Sequence, residues 1–224
     1  MEYIGFKNEY HSGKIHIYNG DCMDLLKQTP DKYYDLAIVD PPYGINISSA
    51  GGYYHVKGKG QANPHTKKDW DKEIPTAEYW DELFRVSKNQ IVWGGNYMTE
   101  FLSPSRCWIF WDKMKFVDNY ADGELAWTSF DRNTKKVSIQ HHGFLTKDGK
   151  SIHPTQKPVQ LYEWLLLNFA KEGDRILDTH FGSLSIGIAC HDLGFELTAI
   201  ELDKDYYEAG KKRLIEHQRQ LKLF

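Results

Sequence analysis

Two hydrophobic periods alternate along the chain. Short apolar runs rich in β-branched and aromatic residues indicate strands, and segments in which apolar residues recur three or four positions apart indicate amphipathic helices. The predicted strands are residues 15–18, 34–39, 90–93, 107–111, 124–130, 175–177 and 196–200. The predicted helices are residues 21–29, 76–87, 158–170, 184–193 and 203–221. A weaker run at residues 137–140 predicts a strand that pairs within a hairpin.

The order of these elements predicts the fold class. Strands that alternate with helices favour an open, mostly parallel α/β sheet with helices on both faces. With 224 residues and 41% hydrophobic content, the chain can bury one large core, so we expect a single domain over residues 1–224. Residues 44–72 are rich in Gly, Ser and Lys without a sustained period. A loop of that length in a compact domain is usually functional or disordered.

Cysteine usage and hydropathy exclude several classes of protein. Cys22, Cys107 and Cys190 are far apart and form no C-x-x-C pair, so neither a disulfide framework nor a metal site is predicted. No segment approaches the roughly 20 apolar residues that span a bilayer. Residues 1–10 lack the apolar core of a signal peptide. We therefore expect a cytoplasmic protein with no membrane partner.

One tetrapeptide indicates a reaction. Asp40-Pro41-Pro42-Tyr43 directly follows the apolar run at residues 34–39. The exocyclic amine of a nucleobase is a poor nucleophile because its lone pair is delocalised into the ring, and acceptors on the NH2 hydrogens make the nitrogen more tetrahedral. The Asp40 carboxylate and the Pro41 carbonyl can be these acceptors, and Tyr43 offers a face on which the base can stack. The two prolines stiffen the turn. The alternative is a strand that merely ends in a Pro-Pro turn, because short motifs recur by chance.

A second motif predicts a nucleotide-like ligand. Residues 176–187 indicate a strand, a turn of small residues and a helix start, a layout that lets the backbone approach such a ligand. Glu201 closes the next strand, at about the interval at which an acid reaches ribose hydroxyls in dinucleotide folds. The glycine spacing is not G-x-G-x-x-G, and Asp178 suits a cationic amino group better than a pyrophosphate. This favours S-adenosylmethionine over a nicotinamide cofactor. The alternative is an ordinary βαβ crossover with a surface Glu.

The charge distribution favours a nucleic-acid partner although the net charge does not. The formal net charge is −3, whereas phosphate binding needs an electropositive surface. Residues 41–68 contain no Asp or Glu, and residues 132–150 contain five Lys or Arg against one Asp. Either run alone is as often a solvated loop, but beside the tetrapeptide they favour double-stranded DNA. We expect DNA-contacting insertions at residues 44–72 and 130–150. The candidate DNA-binding residues are Lys57, Lys59, Lys67, Lys68, Arg132, Lys135 and Lys136.

With these motifs, the chain resembles the amino-methyltransferases of DNA, which form N6-methyladenine or N4-methylcytosine. Specifically, it resembles small phage- and prophage-type members of the permuted β class, in which the catalytic motif precedes the cofactor motif. The resemblance covers nearly the whole chain and rests on residues 19–21, 40–43, 93–97, 108–113, 124–127, 153–158, 178–187 and 200–203. It implies a Rossmann-like methyltransferase sheet with a circularly permuted motif order, in a bacterium or a phage-infected host cell. The strands that carry Asp178 and Glu201 would still neighbour those that carry Asp21 and Asp40.

The resemblance also implies a role for each matched residue. The catalytic residues would be Asp40, Pro41, Pro42 and Tyr43, with no metal. S-adenosylmethionine would be held by Asp178, Gly182 and Ser183 at its methionine end, by Glu201 at the ribose and by Asp21 or its neighbours at the adenine, with Thr155, Gln156 and Lys157 closing over the methionine moiety. The turn departs from the family's commoner Asp-Pro-Phe and Gly-Ser-Gly pattern in two places. Thr179-His180-Phe181 replaces the first part, and Leu184 stands where the second glycine would be. A side chain that points away from the cofactor would cost little there.

The resulting hypothesis is a site-specific methyltransferase that flips an adenine out of duplex DNA and methylates its N6 amine. Aspartate at the first motif position favours adenine, because cytosine-modifying relatives more often carry serine there. The N4 amine of cytosine, RNA and a protein amide stay open as substrates. A nucleic-acid-binding relative without catalysis stays open as well, and a nicotinamide dehydrogenase is least favoured. The chain has little room for a recognition domain, so we expect a short site or a homodimer that shares the recognition. The sequence names no partner nuclease.

Overall fold

The computed structural model describes residues 2–45, 71–114, 121–140, 145–146 and 149–220. The strands are β1 (Asn8–Ser12), β2 (Ile15–Asn19), β3 (Tyr34–Val39), β4 (Ser87–Trp93), β5 (Trp108–Asp112), β6 (Gly123–Thr128), β7 (Lys135–Ser138), β8 (Leu145–Thr146), β9 (Gly149–Lys150), β10 (Arg175–Asp178) and β11 (Glu196–Glu201). The helices are α1 (Cys22–Gln28), α2 (Ala77–Val86), α3 (Val159–Phe169), α4 (Ser185–Leu193) and α5 (Lys204–Arg219). A short 3-10 turn, Gly95–Tyr97, follows β4. Within the described ranges, no helix has the length and apolar character needed to cross a membrane.

Nine strands form one mixed sheet in the order β1-β2-β11-β10-β3-β4-β6-β5-β7. The central pairs from β2 to β4 are all parallel, whereas β6 is antiparallel to both of its neighbours. The strands β8 and β9 form a separate antiparallel pair. The prediction of an open, mostly parallel α/β sheet is confirmed.

Helices cover both faces of the sheet because its strands are apolar on both sides. In β3, Leu36 and Ile38 pack into one core with residues of α3, α4 and α5. The alternate residues Ala37 and Val39 pack into a second core with residues of α1 and α2. Side chains that alternate between the faces of a strand explain this division, and a strand buried on both faces has the continuous apolar run seen in the sequence.

The chain connections diverge between β10 and β3. From β10 the chain passes through α4 to β11 on one side, and from β3 it passes through α2 to β4 on the other. Ligands of open α/β sheets bind outside the carboxyl ends of the strands at such a switch point. In space, β11 lies beside β2 and β10 lies beside β3, so the permuted motifs are neighbours, as the resemblance implies.

Three features differ from the sequence-based expectations or lie outside the described ranges. The strand β1 was not predicted, because its side chains alternate between partly buried and exposed without an apolar run. The hairpin prediction for residues 137–140 is wrong, since β7 pairs in parallel with β5; the only hairpin of that region within the described residues is β8–β9. Residues 46–70 of the predicted insertion 44–72, with all four of its candidate lysines, lie outside the described residues.

Candidate active site

The Asp40-Pro41-Pro42-Tyr43 turn leaves the carboxyl end of β3 and is fixed by hydrogen bonds at both ends. The Tyr43 hydroxyl donates to Oδ1 of Asp40 at 2.7 Å. The backbone N–H groups of Tyr43 and Gly44 donate to one oxygen of Asp71, at 2.7 and 3.1 Å. Asp71 is buried, so a carboxylate that belongs to no recognisable motif holds the backbone of the turn. Sequence reasoning did not find Asp71, because nothing local marks it.

The ring of Tyr43 is confined by the chain that follows β4. Gly94 has a φ of 65°, which favours glycine, and a Cβ added at this residue would overlap the Tyr43 ring. The Tyr97 ring stacks on Tyr43, with centroids 5.1 Å apart and an interplanar angle of 17°. Burial and the nearby charge of Asp40 raise the pKa of Tyr43 well above its usual value. Tyr43 is therefore a neutral hydrogen-bond donor to Asp40 at physiological pH.

A row of alternating charges leads away from the Asp40 carboxylate. The ammonium nitrogen of Lys157 lies 2.5 Å from Oδ2 of Asp40 and 3.3 Å from Oε2 of Glu124. The ammonium of Lys113 lies 2.5 Å from the other Glu124 oxygen. The topology explains this meeting: β6 runs antiparallel to its neighbours, so Glu124 near its start lies at the edge where β3 and β5 end. Lys157 reaches the same edge from the segment before α3.

The charges in this row stabilise one another. Burial disfavours the charged form of Lys157, but the carboxylates of Asp40 and Glu124 outweigh it and raise the pKa of Lys157 above its usual value. Burial likewise opposes ionisation of Glu124, but Lys157 and Lys113 lower the pKa of Glu124 to about 2. Both groups are thus ionised at neutral pH, and a pair of this kind is retained only because each buried charge has a partner.

The cofactor-side turn follows β10 and is held by the acid at the end of β11. The backbone N–H of Gly182 donates to Oε2 of Glu201 at 2.9 Å, and that of Asp203 donates to Oε1 at 2.8 Å. Gly182 has a φ of 51°, a conformation that glycine adopts at little cost. The turn and the acid that were predicted to bind one ligand are therefore joined directly.

Asp178 lies beneath this turn, at the end of β10, and is 1% exposed. Its Oδ1 accepts a hydrogen bond from the backbone N–H of His180 at 3.0 Å. Burial raises the pKa of Asp178 to about 8, and the charges of Asp40 and Glu201 act in the same direction. A buried carboxyl group that is protonated near neutral pH is suited to ionise when a cation arrives.

The structure shows how a leucine fits at position 184, where the family's turn usually has its second glycine. Its φ is 57°, in the left-handed region where glycine is usual. Its side chain is fully buried and packs against Gly187 of α4 and Gly210 of α5, where added Cβ atoms would lie 2.8 and 3.1 Å from the leucine. Leu184 is not among the residues that line the cavity beside this turn. The leucine thus keeps the backbone of a glycine while its side chain fills the core.

The turn that begins at Asp40 and the cofactor-side turn after β10 both open into one cavity with a volume of about 210 Å³. Its lining residues include these predicted site residues: Asp21, Asp40, Pro42, Thr155, Gln156, Lys157, Gly182, Ser183 and Glu201. Asp178, Pro41 and Tyr43 are not among its lining residues. The lining also includes His153 and Tyr206, whose rings meet edge to face with centroids 4.3 Å apart; neither was predicted as a binding residue.

The three described candidates for DNA contact are not gathered at this cavity. The strand β7 runs in the same direction as β3 and β4, so Arg132, which precedes it, lies at the opposite edge from Asp40. Arg132 donates to the carbonyl of Asn168 at 2.8 Å. Lys136 pairs with Asp112 at 2.9 Å, and Lys135 is exposed. Their DNA-binding role stays a prediction, as do those of Lys57, Lys59, Lys67 and Lys68.

Comparison with known families decides the identity of this fold. The model of the DNA methylase family of N6 and N4 methyltransferases matches residues 92–212, more than half of the chain. The chain belongs to this family. The matched region contains the cofactor-side turn, Glu124 and Lys157, whereas the Asp40–Tyr43 tetrapeptide lies before it. The DNA amino-methyltransferase resemblance inferred from the motifs is thereby confirmed.

Curated proteins and solved structures agree with this assignment. The chain is 26% identical to the type II methyltransferase M2.DpnII of Streptococcus pneumoniae, over 93% of this chain and 92% of that protein. It is similar in fold to the M1.HpyAVI–SAM complex, with a TM-score of 0.62, 21% identity, and coverage of 89% of this chain and 100% of the other. The cytosine-N4-specific PvuII DNA methyltransferase also has a TM-score of 0.62, at 13% identity, with 98% and 92% of the two chains covered.

Proposed function

We propose that this DNA methylase transfers a methyl group from S-adenosylmethionine to the N6 amine of an adenine that is flipped out of duplex DNA. The observation that carries the proposal is the shared cavity. Asp40 and Pro42 of the acceptor turn line the same space as Gly182, Ser183 and Glu201 of the cofactor turn. A donor and an acceptor bound at these two turns would therefore be adjacent, and positioning two substrates for attack is a large part of such catalysis.

The residues on the cofactor side fit S-adenosylmethionine. Asp178, a buried acid with a pKa of about 8, would ionise against the ammonium of the methionine moiety. The backbone at Gly182 and Ser183 would lie against the same moiety, and Glu201 would accept hydrogen bonds from the ribose hydroxyls. When bound, the cofactor supplies an electrophilic methyl group on its sulfonium. M1.HpyAVI and TTHA0409 of Thermus thermophilus, two neighbours in fold, were determined as complexes with this molecule.

On the acceptor side, Asp40 and the Pro41 carbonyl would accept hydrogen bonds from the two amine hydrogens. The nitrogen must lose one proton after it has gained the methyl group, and the Asp40 carboxylate is the nearest acceptor in this arrangement. Lys157 lies on Asp40, so we assign it to the acceptor side rather than to the methionine moiety. Flipping the base costs a few kcal/mol, part of which stacking on Tyr43 would recover.

The test combines base-resolved mapping with a matched pair of variants. Unmethylated genomic DNA is incubated with the protein and labelled cofactor, and the modified positions are mapped. N6-methyladenine at a short recurring site is the expected result. Detection of N4-methylcytosine instead would show that cytosine is the target base, as the name of the cytosine-N4-specific PvuII methyltransferase states for that enzyme. Cofactor binding without any DNA product would point instead to a non-catalytic relative.

Asp40→Ala should abolish the product while cofactor affinity, measured by calorimetry, stays close to that of the parent protein. The fold should persist, because Lys157 retains Glu124 as a partner in this variant. Asp81→Ala on α2 removes an exposed carboxylate and serves as the control that keeps full activity. Substantial turnover by Asp40→Ala would contradict the role proposed for this residue.

A further inference from the structure

Tyr43 and Tyr97 form a stacked pair at the acceptor side of the site. Their centroids are 5.1 Å apart with an interplanar angle of 17°. Tyr97 belongs to the short turn Gly95–Tyr97 after β4, and 46% of its surface is exposed. Its partner Tyr43 is the residue on which the target base would stack, so the proposed function leaves unexplained why a second tyrosine lies on that ring.

No third ring fits between these two tyrosines as they stand. Stacked or edge-on aromatic neighbours have centroids 4.5–7 Å apart, so the observed 5.1 Å is the spacing of direct partners. The Tyr43 ring is also fixed in place: its hydroxyl donates to Asp40 at 2.7 Å, and the backbone of Gly94 lies so close that a Cβ would overlap the ring. Of the two rings, Tyr97 is therefore the one that can move, because it is half-exposed and can turn into solvent without opening a cavity.

We propose that Tyr97 occupies the stacking position of the target base in the free protein and leaves it when the base enters. The inference rests on the proposed function and adds a positioning residue to it. In this exchange, the target base replaces the Tyr97 ring on the face of Tyr43, so that face is covered by Tyr97 before DNA binds. Throughout the exchange, the hydrogen bond from the Tyr43 hydroxyl to Asp40 holds the Tyr43 ring in place beside the carboxylate that would bind the amine.

The exchange predicts a gain of base flipping when Tyr97 is removed. In the parent protein, stacking of the base on Tyr43 is offset by the loss of the Tyr43–Tyr97 contact. An aromatic pair is worth about 0.5–1.5 kcal/mol beyond its buried area, which corresponds to about a twofold to tenfold change in an equilibrium. Tyr97→Ala should therefore raise the ratio of flipped to stacked target base by about twofold to tenfold, and Tyr97→Phe should leave it near the parent value.

The experiment uses the full-length protein and duplex DNA with 2-aminopurine in place of the mapped target adenine. Fluorescence at saturating protein reports the flipped fraction, and methylation of the adenine-containing duplex is measured in parallel. Leu167→Ala on α3, where the leucine is 69% exposed, is the control for loss of a surface side chain. Thermal unfolding verifies that each variant is folded.

A raised flipped fraction in Tyr97→Ala, with Tyr97→Phe and Leu167→Ala at the parent value, supports the exchange. An unchanged or lowered fraction in Tyr97→Ala overturns it; a lowered one would mean that Tyr97 holds the base instead of yielding to it. If the parent protein methylates the adenine while this result is negative, only the exchange fails. If the parent protein neither methylates adenine nor changes the fluorescence, the proposed function fails and the exchange fails with it.

Discussion

The ammonium nitrogen of Lys157 lies 2.5 Å from Oδ2 of Asp40, while the Tyr43 hydroxyl donates to Oδ1 of the same carboxylate. Asp40 is thus held from both sides, by a tyrosine hydroxyl and by a cation that is 3% exposed. An ionised and oriented carboxylate is what the proposed reaction needs, because it must accept a hydrogen bond from the amine. We infer that Lys157 positions Asp40 and does not touch the methylated base itself.

Replacement of Lys157 by Met should lower kcat on the order of 100-fold, about the cost of misplacing a reacting group by 1 Å. The free energy of unfolding should fall by about 3–5 kcal/mol, as expected when one partner of a buried ion pair is removed. Single-turnover kinetics and urea unfolding measure these two effects.

Two further variants separate positioning from charge balance. Lys157→Met combined with Glu124→Gln removes one charge of each sign, so the charge balance is restored while the contact to Asp40 stays absent. We expect this double variant to recover part of the lost stability but not kcat, because Lys113 loses the Glu124 carboxylate as its partner. Lys171→Met replaces an exposed lysine and should leave both quantities unchanged. Full recovery of kcat in the double variant would show that Lys157 only balances charge.

Local pattern was enough to predict which strand ends carry the candidate site residues. The apolar run of β3 predicts the position of the turn at Asp40, and the runs of β10 and β11 predict the positions of Asp178 and Glu201. Each acid follows the carboxyl end of a parallel strand, so the fold class alone places them at one edge. Sequence periodicity, however, does not encode strand direction, because parallel and antiparallel strands have the same alternation of side chains. The parallel pairing of β7 was mispredicted for this reason.

The charge row beyond Asp40 could not be predicted for the same physical reason. Glu124 reaches Lys157 and Lys113 because β6 is inserted antiparallel between β4 and β5. That arrangement is decided by long-range packing, and no local signal marks the three residues as partners. Asp71 likewise holds the Tyr43 backbone from 28 residues away, across a segment without periodicity.

Asp178 predicts a pH dependence of cofactor binding. Its pKa of about 8 means that the free protein carries a proton on this carboxyl group at pH 7, whereas a bound ammonium group favours the carboxylate. Binding should therefore release a proton below pH 8, and the Kd should fall as pH rises toward 8, by at most about tenfold per pH unit. Above pH 8 the dependence due to Asp178 should vanish.

Calorimetry in buffers of different ionisation enthalpy counts this proton. At pH 7 we expect the parent protein to release close to one proton more than Asp178→Asn, which should bind the cofactor more weakly and with little pH dependence. The protonation of the free cofactor's amino group is the same for both proteins and cancels in the difference. Equal proton counts in the two proteins would contradict the protonated state of Asp178.

Leu184 sets two effects of known size against each other. A non-glycine residue in the left-handed region costs roughly 1–2 kcal/mol, and deletion of a buried leucine side chain costs about 3–5 kcal/mol. Leu184→Ala loses the packing and keeps the strain, since its Cβ remains. Leu184→Gly loses the packing and relieves the strain of φ 57°. Both variants should be less stable than the parent protein.

Leu184→Ala removes fewer atoms than Leu184→Gly, yet it should lower the free energy of unfolding more. We expect Leu184→Gly to unfold in urea with a free energy about 1–2 kcal/mol higher than that of Leu184→Ala, although it removes one more carbon from the core. Cofactor affinity should be retained in both folded variants, because Leu184 does not line the cavity. If Leu184→Ala is at least as stable as Leu184→Gly, the turn must relax out of the left-handed conformation when the leucine is removed. The backbone would then adapt to a residue other than glycine, and the leucine would not be holding a strained conformation.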